Sequence, residues 1–184
     1  MTTKPTVPRK LIVVDADVAR ACSSRTGAAP LSSDCAKTLR AIYGICHRLA
    51  ITDEGIAEWN CHQSPFFIEW RADMASRGKL ERRSGAFDAE LADGIVAAVT
   101  TGRAEHRIRK DLHLLAAALS ADQIVLSCEV KACRDYASAA TAIDALRDIH
   151  WINPRHHHLA DVVSWLEDGA PPRDEWKLGY EPDD

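Results

Sequence analysis

The sequence predicts an α/β domain of three layers (α/β/α), with helices packed on both faces of a short-stranded central parallel sheet. Three observations carry this. Short apolar runs rich in β-branched residues recur at 10–14, 124–127 and 149–152. They are continuous rather than alternating, as in strands covered on both faces. The longer stretches between them place apolar residues at three- and four-residue spacing, the helical period. Strands that alternate with helices pair in parallel through crossover connections.

The elements follow in order. The first strand, 10–14, runs straight into Asp15. Ser32, Ser33 and Asp34 offer N-caps for a helix reaching 49, with Leu39, Ile42, Tyr43, Cys46 and Leu49 along one side. A brief strand at 49–52 leads into a helical stretch from 53 to 77, which Pro65 should interrupt. Residues 79–85 read as a loop or short edge strand. Helices are expected over 88–100 and 104–121, with Gly102 between them. The strand at 124–127 ends in Cys128 and Glu129. Helices through Tyr136 and over 141–148 precede the strand at 149–152, and a last helix covers 158–167.

The chain has 184 residues, enough for one full hydrophobic core. We divide it into an extended N-terminal arm (1–9), one domain (10–168) and a C-terminal tail (169–184). The tail carries Pro171, Pro172 and Pro182 with several acids, and both ends read as extended arms. The apolar run after Lys10 is broken at Asp15, shorter than a secretory or membrane segment needs. The expectation is a cytoplasmic protein with no membrane contact. The cysteines at 22, 35, 46, 61, 128 and 133 lack the CxxC spacing of a zinc site and read as small core residues.

The formal net charge of −4 argues against a protein that simply coats nucleic acid. Basic residues nevertheless cluster, first at Arg71, Arg77, Lys79, Arg82 and Arg83, then at Arg103, Arg107, Arg109 and Lys110. Each group reads either as a phosphate-facing patch or as a solvated helix face.

The carboxylates carry the functional reading. Ligands of open parallel sheets bind beyond the carboxyl ends of the strands. Asp15 and Glu129 follow two strands directly, so topology places both on that edge. Glu54 and Glu58 stand one helical turn apart after the strand at 49–52, and either can reach it. Asp111 sits where the helix over 104–121 changes from charged to apolar, a place where a carboxylate needs a cation or a hydrogen-bond partner. Acids gathered this way suit Mg²⁺ or Mn²⁺, which favour oxygen ligands.

The order of these segments resembles the PIN-domain superfamily: a strand ending in Asp15, then Thr52-Asp-Glu-Gly-Ile-Ala-Glu-Trp59, Lys110-Asp-Leu-His-Leu-Leu-Ala-Ala-Ala-Leu119 and Ile124-Val-Leu-Ser-Cys-Glu129. The resemblance spans 11–152. It implies a metal-dependent ribonuclease, in some members the toxin of a toxin–antitoxin pair. Asp15, Glu58, Asp111 and Glu129 would then hold Mg²⁺ or Mn²⁺, and Ser127 would orient a phosphate or a metal-bound water. RNA would be the substrate, an antitoxin-like protein a partner, and a homodimer the assembly. Cleavage would leave a 5′-phosphate and a 3′-hydroxyl. Two positions depart from the family pattern: Glu129 stands where it usually has Asp, and Lys131 where many members carry another acid.

Two further readings stand beside this one. The same fold could serve as a binding module for nucleic acid or protein without cleavage. The run Val13-Val14-Asp15-Ala16-Asp17-Val18 also resembles the start of haloacid-dehalogenase-like phosphotransferases, with Asp15 as nucleophile and Asp17 as acid/base. His113 is expected to point away from Asp111. The consecutive His156, His157 and His158 cannot all face one ion from a regular element. Trp59, Trp70, Trp151 and Trp165 read as core residues.

Overall fold

A computed structural model describes residues 7–23, 29–84, 87–99 and 102–182, without the side chains of 102–104 and 107. It has the predicted α/β architecture. Strands β1 (Leu11–Val14), β2 (Arg48–Ile51), β3 (Leu80–Arg82), β4 (Ile124–Leu126) and β5 (His150–Ile152) form one all-parallel sheet of order β3-β2-β1-β4-β5. Register pairs Ile12 with Leu49 on one side of β1, and Val13 with Val125 on the other.

Burial alternates cleanly along the strands. Ile12, Val14, Leu49, Ile51, Ile124, Leu126 and Ile152 face one core; Leu11, Val13, Ala50, Val125 and Trp151 face a second. The first core is closed by α1 (Ala16–Ala21), α2 (Pro30–Ile45), α3 (Asp53–His62), α4 (Pro65–Ser76) and α9 (Leu159–Glu167). The second is closed by α5 (Ala89–Ala97), α6 (Gly102–Leu119), α7 (Val130–Ala140) and α8 (Asp144–Arg147). Two-sided burial explains why the strands read as unbroken apolar runs.

Local signals act as expected in several places. Pro65 splits the stretch after β2 into α3 and α4, and it opens α4 behind the Ser64 cap, whose hydroxyl accepts from Phe67 N at 3.2 Å. Helix α2 departs from the prediction. It begins at Pro30, before the candidate caps, and ends at Ile45, where Cys46 turns left-handed at φ 65° and frees the chain for β2. Helix α1 was not predicted. Asp15 starts it, its carboxylate accepting from Asp17 N at 3.4 Å.

The ends also depart from the extended arms expected. Residues 1–6 lie outside the described segments. Val7 and Pro8 pack on Gly169, where an added Cβ would lie 2.8 Å from Pro8 Cδ. The tail folds through a 3₁₀ turn at Asp174–Trp176. It bridges β5 between His150 and Lys177 and buries Trp176 and Leu178. Trp176 meets Trp165 edge-on at 5.2 Å. Among the described residues no helix is long and apolar enough to cross a membrane.

Candidate functional site

The strand order creates the site. Chain connections run outward from β1 in both directions, toward β2–β3 and toward β4–β5. The order therefore reverses between β1 and β4, and the crevice beyond their carboxyl ends is where ligands bind in such sheets. Asp15 leaves β1 there, its N–H donating to Leu126 O at 2.9 Å, and Ser127–Cys128–Glu129 leave β4 beside it.

A cleft of about 150 Å³ opens at this point, lined by Asp15, Asp17, Glu58, Asp111 and Glu129, with Arg20, His62 and Lys110. All four predicted acids thus share one cleft. Glu54, the alternative to Glu58, is exposed and stands outside the lining. Thr52 caps α3 through Gly55 N at 3.1 Å, and Trp59 Nε1 donates to Val14 O at 3.0 Å. That second bond ties α3 to the end of β1 and so carries Glu58 toward Asp15.

Ser127 is fully buried and stands beneath the cleft. Its hydroxyl donates to Asp15 Oδ2 at 2.8 Å and accepts from Glu129 N at 3.1 Å. Asp17 Oδ2 lies farther from the same hydroxyl, at 3.4 Å, so the bond to Asp15 is the shorter one and Ser127 positions that carboxylate.

Asp17 is the residue whose place in the metal reading was missed. Its Oδ2 accepts from Cys128 N at 2.9 Å, while its buried Oδ1 has no hydrogen-bond partner. The signal was present, since an acid two residues after a strand-end acid falls in the first turn of the following helix. Sequence reasoning weighed it only for the phosphotransferase reading.

Glu129 serves two purposes. It lines the cleft, and its Oε1 accepts from Lys131 N at 3.0 Å to cap α7. Glu58 is held by Lys110 Nζ at 3.5 Å and faces His113 Nε2 at 3.7 Å. His113 is packed, and it stands outside the cleft lining. Its Nδ1 meets the Lys110 carbonyl at 3.1 Å, so that nitrogen carries the hydrogen.

Burial and crowding raise the proton affinity of the acids. Burial pushes Asp15 above its ordinary value against the lowering effect of the Ser127 bond. Asp17 rises to about 8, through burial and then the Asp15 charge. Asp111 rises to about 7 for the same two reasons. For Lys110, burial works downward but is outweighed by Glu58 and Asp111, which hold its ammonium charged.

The fit to a cation is one of chemistry rather than finished geometry. Among the described residues no three His, Cys, Asp or Glu side chains converge as a ready metal-ligand group. Asp15, Asp17, Glu58 and Glu129 are each turned to a protein partner, as described above. Yet the set consists of hard oxygens, one buried carboxylate oxygen is unpartnered, and burial with crowding raises the proton affinity of Asp17 and Asp111. A divalent cation would relieve all of this.

The basic groups fall elsewhere. Arg82 pairs with Asp53, Arg83 with Glu81, and Arg71 Nη1 bonds Asn60 at 3.0 Å. Arg77 lies over the Tyr43 ring at 4.4 Å. Of the second group, Lys110 lines the cleft and Arg109 bonds Glu105 at 3.1 Å. The Arg103 and Arg107 side chains lie outside the described residues. Trp59, Trp70, Trp151 and Trp165 are all buried.

No protein family, curated protein or solved structure matches this chain. The functional reading therefore rests on the residues themselves.

Proposed function

We propose that the chain is a divalent-metal-dependent ribonuclease. The observation that supports it is the meeting of Asp15, Asp17, Glu58, Asp111 and Glu129 in one cleft at the point where the strand order reverses. Five carboxylates faced by Arg20 and Lys110 leave an excess of negative charge that a cation would balance. Asp15, Asp17, Asp111 and Glu129 would hold Mg²⁺ or Mn²⁺, with Glu58 in support. Such an ion supplies activation of water and neutralisation of phosphodiester charge.

The chain's own groups orient the rest. Ser127 keeps Asp15 turned toward the cleft, and Lys110 holds Glu58. Lys110 and Arg20 stand at the same cleft, where they would meet the phosphate of an RNA strand.

Calorimetric titration of Mn²⁺ tests this without knowledge of the substrate. The wild type should bind, and Asp15→Asn and Asp111→Asn should each weaken binding at least about tenfold, as the loss of one coordinating charge implies. Binding indifferent to both substitutions would overturn the metal site. It would leave a PIN-like binding module without catalysis.

One observation favours a second reading. Asp17 lies beside Asp15, and its raised proton affinity suits a general acid. In a phosphotransferase of the haloacid-dehalogenase kind, Asp15 would take up the phosphoryl group. Beryllofluoride trapped on Asp15 would support this reading over the nuclease.

A further inference from the structure

Three cavities draw lining residues from the turn 128–130. The carboxylate cleft is lined by Glu129. A neighbouring cavity of about 350 Å³ is lined by Cys128, Val130, Asn153, Arg155 and His156, among others. A third, of about 380 Å³, continues from Val130, Asn153 and His156 to Arg134, Trp151 and Tyr180. Asn153 Nδ2 donates to Cys128 O at 3.2 Å and so fixes that turn.

The third cavity has the size of a small-molecule site, about 300–1,000 Å³. Its chemistry is specific. Trp151 is 3% exposed and lines it, and the buried indole N–H has no acceptor. Tyr180 stands at the rim, 47% exposed, an apolar ring open to a flat partner. The other charges at the cavity are already matched. Lys177 Nζ bonds Asp148 and Asp174 at 2.9 Å each, and Glu175 pairs with Arg173. Arg134 here and Arg155 next door are exposed, and neither side chain has an ion-pair partner among the described residues. The uncompensated charge is cationic. A ligand with a flat ring that carries a phosphate answers the exposed Tyr180 ring and the two unpaired arginines.

We propose that this cavity holds one nucleotide of an RNA strand whose backbone crosses the turn 128–130 into the carboxylate cleft. The base stacks on Tyr180, and Arg134 and Arg155 meet the phosphates. The identity of the polymer rests on the ribonuclease reading; the cavity's own chemistry is independent of it.

The test titrates penta-adenylate into the full chain in EDTA, so that no metal is present, with heat and tryptophan fluorescence as readouts. The wild type should bind, and AMP should compete. Tyr180→Ala and Arg134→Ala should each weaken binding about fivefold or more, the scale of one lost stacking or phosphate contact. No binding by the wild type, or equal binding by the Arg134→Ala/Tyr180→Ala double variant, would overturn the proposal. Both of those residues are exposed, so the double variant remains folded. Manganese binding at the carboxylates is read separately, so either result stands if the other fails.

Discussion

Ser127 Oγ lies 2.8 Å from Asp15 Oδ2, although the two residues are 112 positions apart in the chain. The bond joins the ends of β1 and β4, buries both partners and sets the direction in which the Asp15 carboxylate points. A lost hydrogen bond to a buried carboxylate costs about 1–3 kcal/mol. Ser127→Ala should lower stability to urea by that amount and weaken Mn²⁺ binding as well. Unchanged values for both would show that Ser127 does not hold Asp15.

Asp17 should matter to the metal as much as Asp15 does. Its unpartnered Oδ1 is the carboxylate oxygen with nothing to lose by meeting a cation. Asp17→Asn should reduce Mn²⁺ affinity at least about tenfold. Calorimetry on this one variant decides whether Asp17 joins the predicted acids.

The metal-free protein should lose stability as pH rises. Asp17 and Asp111 hold protons more tightly when folded, to about 8 and about 7, than at their ordinary 3.8. Between those limits the folded chain binds more protons than the unfolded one. Stability is then full below about pH 4 and declines as pH passes through the folded values, by at most about 1.4 kcal/mol per pH unit per group. Urea unfolding in EDTA at pH 5 and pH 8 should show the higher midpoint at pH 5 from these two groups. Asp17→Asn and Asp111→Asn should each flatten the difference, and Mn²⁺ should restore stability at pH 8.

Trp59 is the anchor of Glu58. Trp59→Phe keeps most of the ring but removes the donor to Val14 O, which should cost about 1 kcal/mol. If that bond places Glu58, the same change also weakens Mn²⁺ binding. A stability loss with intact metal affinity would separate the two roles.

The tail is part of the core. Trp176 is 7% exposed and packs against Trp165 and His157. Trp176→Ala should cost about 3–5 kcal/mol, the range for a buried aromatic. A loss below about 1 kcal/mol, measured by denaturant unfolding, would return the tail to the extended arm that its prolines suggest.

Much of the fold was legible in the amino acids. Leu11–Val14 and Ile124–Leu126 are buried on both faces, so they must be unbroken apolar runs. Pro65 must break a helix wherever it falls inside one. Asp15 and Glu129 could be placed at one edge because parallel strands all end on the same side.

The remainder was decided by contacts between distant segments. No local pattern makes β4 the neighbour of β1, yet that pairing brings Ser127 onto Asp15. The same is true of Asp17, whose place beneath Cys128 N no local pattern gives. The tail that carries Trp176 was misjudged for a related reason. A side chain's direction on its own helix, or a proline-rich composition, says nothing about which distant surface lies opposite. Local periodicity is written in neighbouring residues, so the sequence by itself determined the layers and the edge that bears the acids. Whether Asp15 and Asp17 are buried and partnered depends on atoms more than a hundred residues away, and only the tertiary structure supplies them.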